Sequence, residues 1–150
     1  MRQINKLVAL ALVVGVVAGC SSLNTLPANP PPPTYCKTSS CPVSVTVNVT
    51  SSPFKCTINV DPELLDVSQG PGTKTITWTL TGAEWSKDGI NLPIKFGPNA
   101  SGVMSLPVVS GPSVSVTYTR PAKGGNVYGY GVFTLAVLSQ ICKIDPWVQD

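Results

Sequence analysis

The chain has 150 residues, 43% of them hydrophobic and only 11% charged, with a formal net charge of +3. That length suits one domain around a single core, and the scattered Lys and Arg form no stripe that would follow a phosphate backbone, so nucleic acid is not an expected partner. There is no His, which excludes a Ser-His-Asp triad, a Cys-His dyad, a His-ligated catalytic zinc and a blue-copper centre.

The first element is an address. Residues 1–6 carry Arg2 and Lys6, Leu7 to Val17 is an uncharged apolar run, and Ala18-Gly19 precede Cys20. A charged start, a short apolar stretch and small residues before a cleavage point are the parts of a secretory signal. The run is too short to span a bilayer as a mature helix, which takes about 20 apolar residues. Val17-Ala18-Gly19-Cys20 resembles the lipobox of bacterial lipoproteins. The resemblance implies a signal peptide over residues 1–19, cut before Cys20, and a lipid on Cys20 that holds the mature chain to a membrane. Ser21 stands at the sorting position of that family, which in a Gram-negative source implies the outer membrane, facing the periplasm. The resemblance covers the first 20 residues and implies a place, not an activity. Because Arg2 and Lys6 leave with the signal, the mature chain is close to neutral.

Residues 20–35 read as the lipidated cysteine and a tether. Pro30 to Pro33 are consecutive and favour an extended polyproline helix. At about 3.1 Å per residue such a tether reaches roughly 45 Å. The domain expected after it, residues 36–150, is all β. Val43, Val45, Val47 and Val49 alternate with Ser44, Thr46, Asn48 and Thr50, which predicts a strand with one buried face. After Ser51-Ser52-Pro53, a second strand alternates Phe54, Cys56, Ile58 and Val60 with Lys55, Thr57 and Asn59. Asp61-Pro62 and Gly70-Pro71-Gly72 are turn signals. In TKTITWTLT, residues 73–81, the set Ile76, Trp78 and Leu80 opposes a row of five threonines; SVSVTYT, residues 113–119, sets Val114, Val116 and Tyr118 against hydroxyls. From Val127 to Leu138 both faces are apolar, which predicts a central strand, or one bent at Gly129 and Gly131 into a second sheet.

Six or seven such strands predict an antiparallel β-sandwich of Greek-key type. Trp78 in Ile-x-Trp-x-Leu and Tyr128 in Gly-x-x-Tyr-x-Tyr-x-Val resemble the core Trp and tyrosine corner of immunoglobulin-like domains, although Cys142 falls about a strand later than that fold places its cysteine. The segments ITWTL, DGI, YGYGV and DPWVQD also resemble a group of small bacterial β-proteins, a likeness that carries no activity to transfer.

Four cysteines remain after Cys20: Cys36, Cys41, Cys56 and Cys142. In an exported chain an even set reads as disulfides, and four cysteines allow three pairings. The favoured one joins Cys36 to Cys41 as a local clasp and Cys56 to Cys142 across the domain. A zinc site is the rival, disfavoured by the oxidising compartment and the lack of His.

No pattern calls for a cofactor. The carboxylates Asp61, Glu63, Asp66, Glu84, Asp88, Asp145 and Asp150 leave room for a cell-wall glycan hydrolase, which needs two of them on one cleft, but most lie beside turn residues, where Asp serves the backbone. Asp61, Glu63 and Asp66 lack the spacing of a calcium loop. The reading favoured here is a non-catalytic module that binds an envelope protein or glycan. Its candidate surface is Trp85, Tyr130 and the loop residues Arg120 and Lys123, because aromatic and cationic side chains suit recognition. The threonine rows solvate a sheet without charge. Uncharged sheet edges, in turn, invite pairing with a strand from another chain.

Overall fold

The computed structural model describes residues 25–51, 54–86, 92–135 and 141–150, with the side chains of residues 51, 54 and 141–143 outside that description. Cys20 and the signal segment therefore lie outside the described residues. Twelve β-strands are present in them: β1 (Thr34–Tyr35), β2 (Ser40–Ser51), β3 (Phe54–Asp61), β4 (Leu64–Asp66), β5 (Thr73–Thr81), β6 (Glu84–Trp85), β7 (Ile94–Phe96), β8 (Val108–Ser110), β9 (Ser113–Thr119), β10 (Val127–Leu135), β11 (Ile141–Ile144) and β12 (Trp147–Gln149). They form the all-β sandwich expected from the alternating sequence.

One sheet has the order β3-β2-β5-β9-β8. Its alternation is the one written in the sequence: Val43, Val45, Val47, Ile58, Val60, Ile76, Trp78, Leu80, Val114, Val116 and Tyr118 are all buried. On the outer face, Thr73 and Thr119, Thr75 and Thr117, Thr77 and Ser115, and Thr79 and Ser113 stand opposite one another across β5 and β9. Hydroxyl contacts bridge the last two pairs, at 3.1 Å and 3.5 Å. Such cross-strand hydroxyl pairs stabilise a sheet without charge.

The expected purely antiparallel pairing does not hold. β2 and β5 run parallel over Ser40–Thr46 and Thr75–Thr81. Two parallel neighbours need a crossover, and the chain supplies it through β3 and β4, which lie between them in sequence. β4 belongs to the second sheet, where it pairs in parallel with both β1 and β12. Thr34 and Tyr35, counted with the tether on composition, thus already pair within the sheet.

The second sheet is built on β10, which has partners on both edges, as its two apolar faces predict. Val132 stands opposite Ile94 of β7 and opposite Ile144 of β11, while β12 extends the second edge at Val127–Gly129. The core between the sheets centres on Trp78, whose Nε1 donates to the Tyr130 hydroxyl at 3.1 Å. Phe96 completes the aromatic cluster, with ring centroids 6.1 Å from Trp78 and 5.4 Å from Tyr130.

Cys36 and Cys41 form the expected disulfide, with Cα atoms 5.6 Å apart. Cys56 is disulfide-bonded as well. The side chain of Cys142, its expected partner, lies outside the described residues, but β11, which carries Cys142, packs against β3, which carries Cys56.

Candidate functional site

Of the four residues expected to form a binding surface, the structure commits three to the fold. Trp85 is 2% exposed, and its Nε1 donates to the Pro112 carbonyl at 2.8 Å. Tyr130 is fully buried beside Trp78, and burial pushes its phenol well above the ordinary value. Arg120 spends its guanidinium on the main chain: Nη2 donates to the carbonyls of Val67, Ser68 and Gly70. Lys123 alone is exposed. Aromatic side chains suit recognition and cores alike. Parity decides for Tyr130, which shares a strand with Tyr128 and Val132, both buried.

Among the carboxylates, Asp66 and Asp150 are held by protein donors. Burial works against charge on Asp66, but Ser68 and the Gln149 amide, each donating at 2.8 Å, outweigh it and hold the carboxyl below its ordinary value. Asp150 accepts from Tyr118 and Tyr128 at 3.1 Å and 2.9 Å, and from the Asn126 N–H at 2.8 Å. Burial and the Asp150 charge raise both phenols, Tyr118 to about 12. Tyr128 is thus tied to a carboxylate rather than to an upstream main-chain group. Asp61, Glu63 and Glu84 are exposed and Asp145 half-buried; Asp88 lies outside the described residues.

Lys74 is a buried cation that residue-type scanning passes over. It stands on β5 in the parity of Ile76 and Trp78 and is 1% exposed. Its Nζ donates to the carbonyls of Cys36 and Thr38 at 2.9 Å and 3.0 Å, so it fastens the disulfide loop to the sheet. Burial, helped by the nearby Arg120 charge, pushes its amine below the ordinary value. Gly70, at φ +74°, closes against the same loop; a Cβ there would collide with the Lys37 carbonyl oxygen.

An exposed apolar surface lies on the flank where the chain crosses from β7 in one sheet to β8 in the other. A 3₁₀ turn at Pro98–Ala100 begins the crossover, pinned by the Asn99 amide donating to the Val127 carbonyl at 2.7 Å. The chain then rejoins the first sheet beside β9: Met104 bridges Tyr118, and the N–H groups of Ser105 and Thr119 donate to the carbonyls of Thr117 and Val103. Between that bridge and the pair Val108–Ser115 the register slips by one residue. Leu106-Pro107 is therefore a β-bulge, an irregularity typical of sheet edges. The bulge leaves Leu106 80% exposed, next to Val108 at 66% and Val109 at 47%.

Beneath it runs a groove of about 300 Å³ lined by Leu92, Ile94, Phe96, Met104, Leu106 and Pro107, among others. Leu92, at its other end, is also exposed. Lys95 is the one charged side chain among the described residues that line it. A second cavity, of about 340 Å³, lies beside the disulfide between Tyr35, Pro42 and Leu65. Among the described residues no carboxylate lines either one.

The composition of 106–109 holds the signal that sequence reading missed. Leu106, Val108 and Val109 are large apolar residues beside proline, without the alternation that would bury them. In comparisons with known proteins, no protein-family model and no curated protein matches the chain.

Proposed function

We propose that this protein is a bacterial envelope lipoprotein whose sandwich binds a protein partner, without catalysis, along the β7–β8 flank. The observation that carries the reading is exposed Leu92 and Leu106 on an apolar groove, with Val108 and Val109 exposed on the strand that follows. Clustered exposed apolar side chains mark interaction surfaces far more often than scattered ones. A protein fits this flank better than a glycan, because Trp85 and Tyr130 are buried and the groove's described lining holds no Trp or Tyr for stacking on a sugar. The hydrolase alternative lacks support, since two carboxylates on one cleft are what it requires.

The anchor and the binding face are tested separately. Cys20→Ala is expected to move the protein from the membrane to the soluble fraction and to end its labelling with fatty acid. A photo-crosslinking amino acid at position 106, introduced into the full chain in cells, is expected to yield one discrete adduct. The same probe at position 55, on β3, serves as the control. Indistinguishable adducts at the two positions would remove the binding reading.

A further inference from the structure

The Cys36–Cys41 clasp is fastened into the fold twice, once through sulfur and once without it. The Cys36 N–H donates to the Asp66 carbonyl and the Thr75 N–H to the Ser39 carbonyl, each at 2.8 Å. Lys74 Nζ holds the carbonyls of Cys36 and Thr38, and the Thr38 hydroxyl donates to the Ser40 carbonyl at 2.7 Å. None of these bonds runs through the S–S link, so they keep residues 36–41 in place when it is open. Cys36 Sγ lies 3.6 Å from the carbonyl oxygens of Thr38 and Ser40. A thiol formed there has its acceptors waiting. The cysteines are five positions apart, and a link that closes so short a loop gains less from folding than one across a long loop. By reciprocity, opening it takes correspondingly little from the fold.

The bond can also be reached. Cys36 and Cys41 both line the second cavity, whose rim residues Tyr35, Lys37, Thr38 and Pro42 are exposed. Its volume of about 340 Å³ has room for the cysteine of another chain. Cys36 is 7% exposed and Cys41 not at all, which makes Cys36 Sγ the point of attack. Lys37 in the loop and Lys74 against it place two positive charges here, the surroundings in which thiolates are formed and used. We infer that Cys36–Cys41 is a site of reversible thiol–disulfide exchange whose substrate is the dithiol of a partner protein. A thiolate of the partner attacks Cys36 Sγ, the S–S bond breaks, and Cys41 Sγ leaves with the electron pair and takes a proton. The partner's second thiol then gives its proton to Cys36 as it attacks the partner's own sulfur in the mixed disulfide. The clasp has gained two electrons and two protons, and the partner's dithiol has become a disulfide.

The test uses the full chain in detergent and, as probe, a small reduced protein carrying a Cys-x-x-Cys pair. Free thiols are alkylated and mapped by mass spectrometry while circular dichroism follows the fold. Cys36 and Cys41 are expected to become alkylated together, with Cys56 still blocked and the cooperative melt retained. A probe whose second cysteine is replaced by Ser stops at the mixed disulfide. Its adduct is expected on Cys36 about 10-fold more often than on Cys41, since access decides which sulfur is attacked. When the reductant is removed and oxidised glutathione added, the clasp re-forms. Lys74→Met, which releases two anchors of the loop, is expected to slow that step about 3-fold or more by lowering the effective concentration of one thiol at the other. Thr38→Val, at an exposed position, removes one anchor without touching the core and should slow it in the same direction. Alkylation of Cys36 and Cys41 only where Cys56 also opens or the melt is lost would overturn the inference and leave the clasp a structural link. So would a trapped adduct on Cys41, or none at all. Re-formation at an unchanged rate in both variants would overturn it as well, because the anchors would then not hold the two thiols together.

Discussion

The hydroxyls of Tyr118 and Tyr128 converge on one carboxylate oxygen of Asp150, at 3.1 Å and 2.9 Å. Ionising either phenol would set a second negative charge against that carboxylate, so the fold favours the neutral form. Tyr118 has its value raised from 10 to about 12. Its contribution is therefore complete below its ordinary value and is lost as pH rises through about 12. Thermal melts across that range are expected to show stability falling on the alkaline side. Asp150→Asn should make the fall shallower and cost about 2 kcal/mol near neutrality, the scale of hydrogen bonds to a charged group. Lys74 gives a second residue-scale prediction. Lys74→Met keeps the apolar stem but leaves two buried carbonyls without their donor, and should cost about 2 kcal/mol in urea titration. The alternation that places Ile76 and Trp78 inside also places Lys74 inside. Charge alone suggests the opposite, because burying an ammonium is costly unless carbonyls receive it. Those carbonyls belong to residues more than thirty positions earlier, a distance that local pattern does not span. Tyr130 and Trp85 mislead for the related reason that an aromatic side chain reads alike in a core and at an interface.

At the scale of elements, period-two patterning determines which face of β2, β3, β5 and β9 is buried, and the structure follows it residue by residue. Strand order is another matter. Alternation is the same for parallel and antiparallel neighbours, so the β2–β5 pairing leaves no trace in the local sequence. The short strands β4, β6, β7, β8 and β12 have two or three residues each, too few to show a period. The β7–β8 flank is made of such pieces, and for that reason it is the least legible part of the fold. The disulfide was legible, because Cys36 and Cys41 lie five positions apart in a chain whose first residues resemble an export signal. Replacing both by Ser is expected to lower stability by about 2 kcal/mol, the chain-entropy value for closing a loop of that size. Calorimetry of the double variant checks it, and an unchanged melting temperature would show that Lys74 alone holds the loop.

For the whole molecule, the two flanks of the sandwich differ in kind. One is closed where β11 packs against β3; the other is left to the bulged edge ending in β8 and to the groove below it. This asymmetry predicts that a charge placed on the open edge acts on association and not on folding. Val108→Lys should leave the melting temperature within about 2 °C, since an exposed substitution away from the core changes stability by about 0.5 kcal/mol or less. It should nevertheless lower the tendency to precipitate at high concentration, measured by light scattering. A last consequence comes from the place of the Cys36–Cys41 clasp. The chain enters the domain through β1, a two-residue strand, and the clasp follows at once. Tension applied from the N-terminal side would peel β1 from β4 easily, but it could go no further by the same route. The covalent link hands the load to Cys41 on β2, which is paired along its whole length, with β5 over Ser40–Thr46 and with β3 over Ser44–Ser51. A pull along that strand has to shear many ladder hydrogen bonds together instead of opening them in turn. A load entering at the clasp would therefore be resisted along the whole of β2, while the edge at β8 bears none of it.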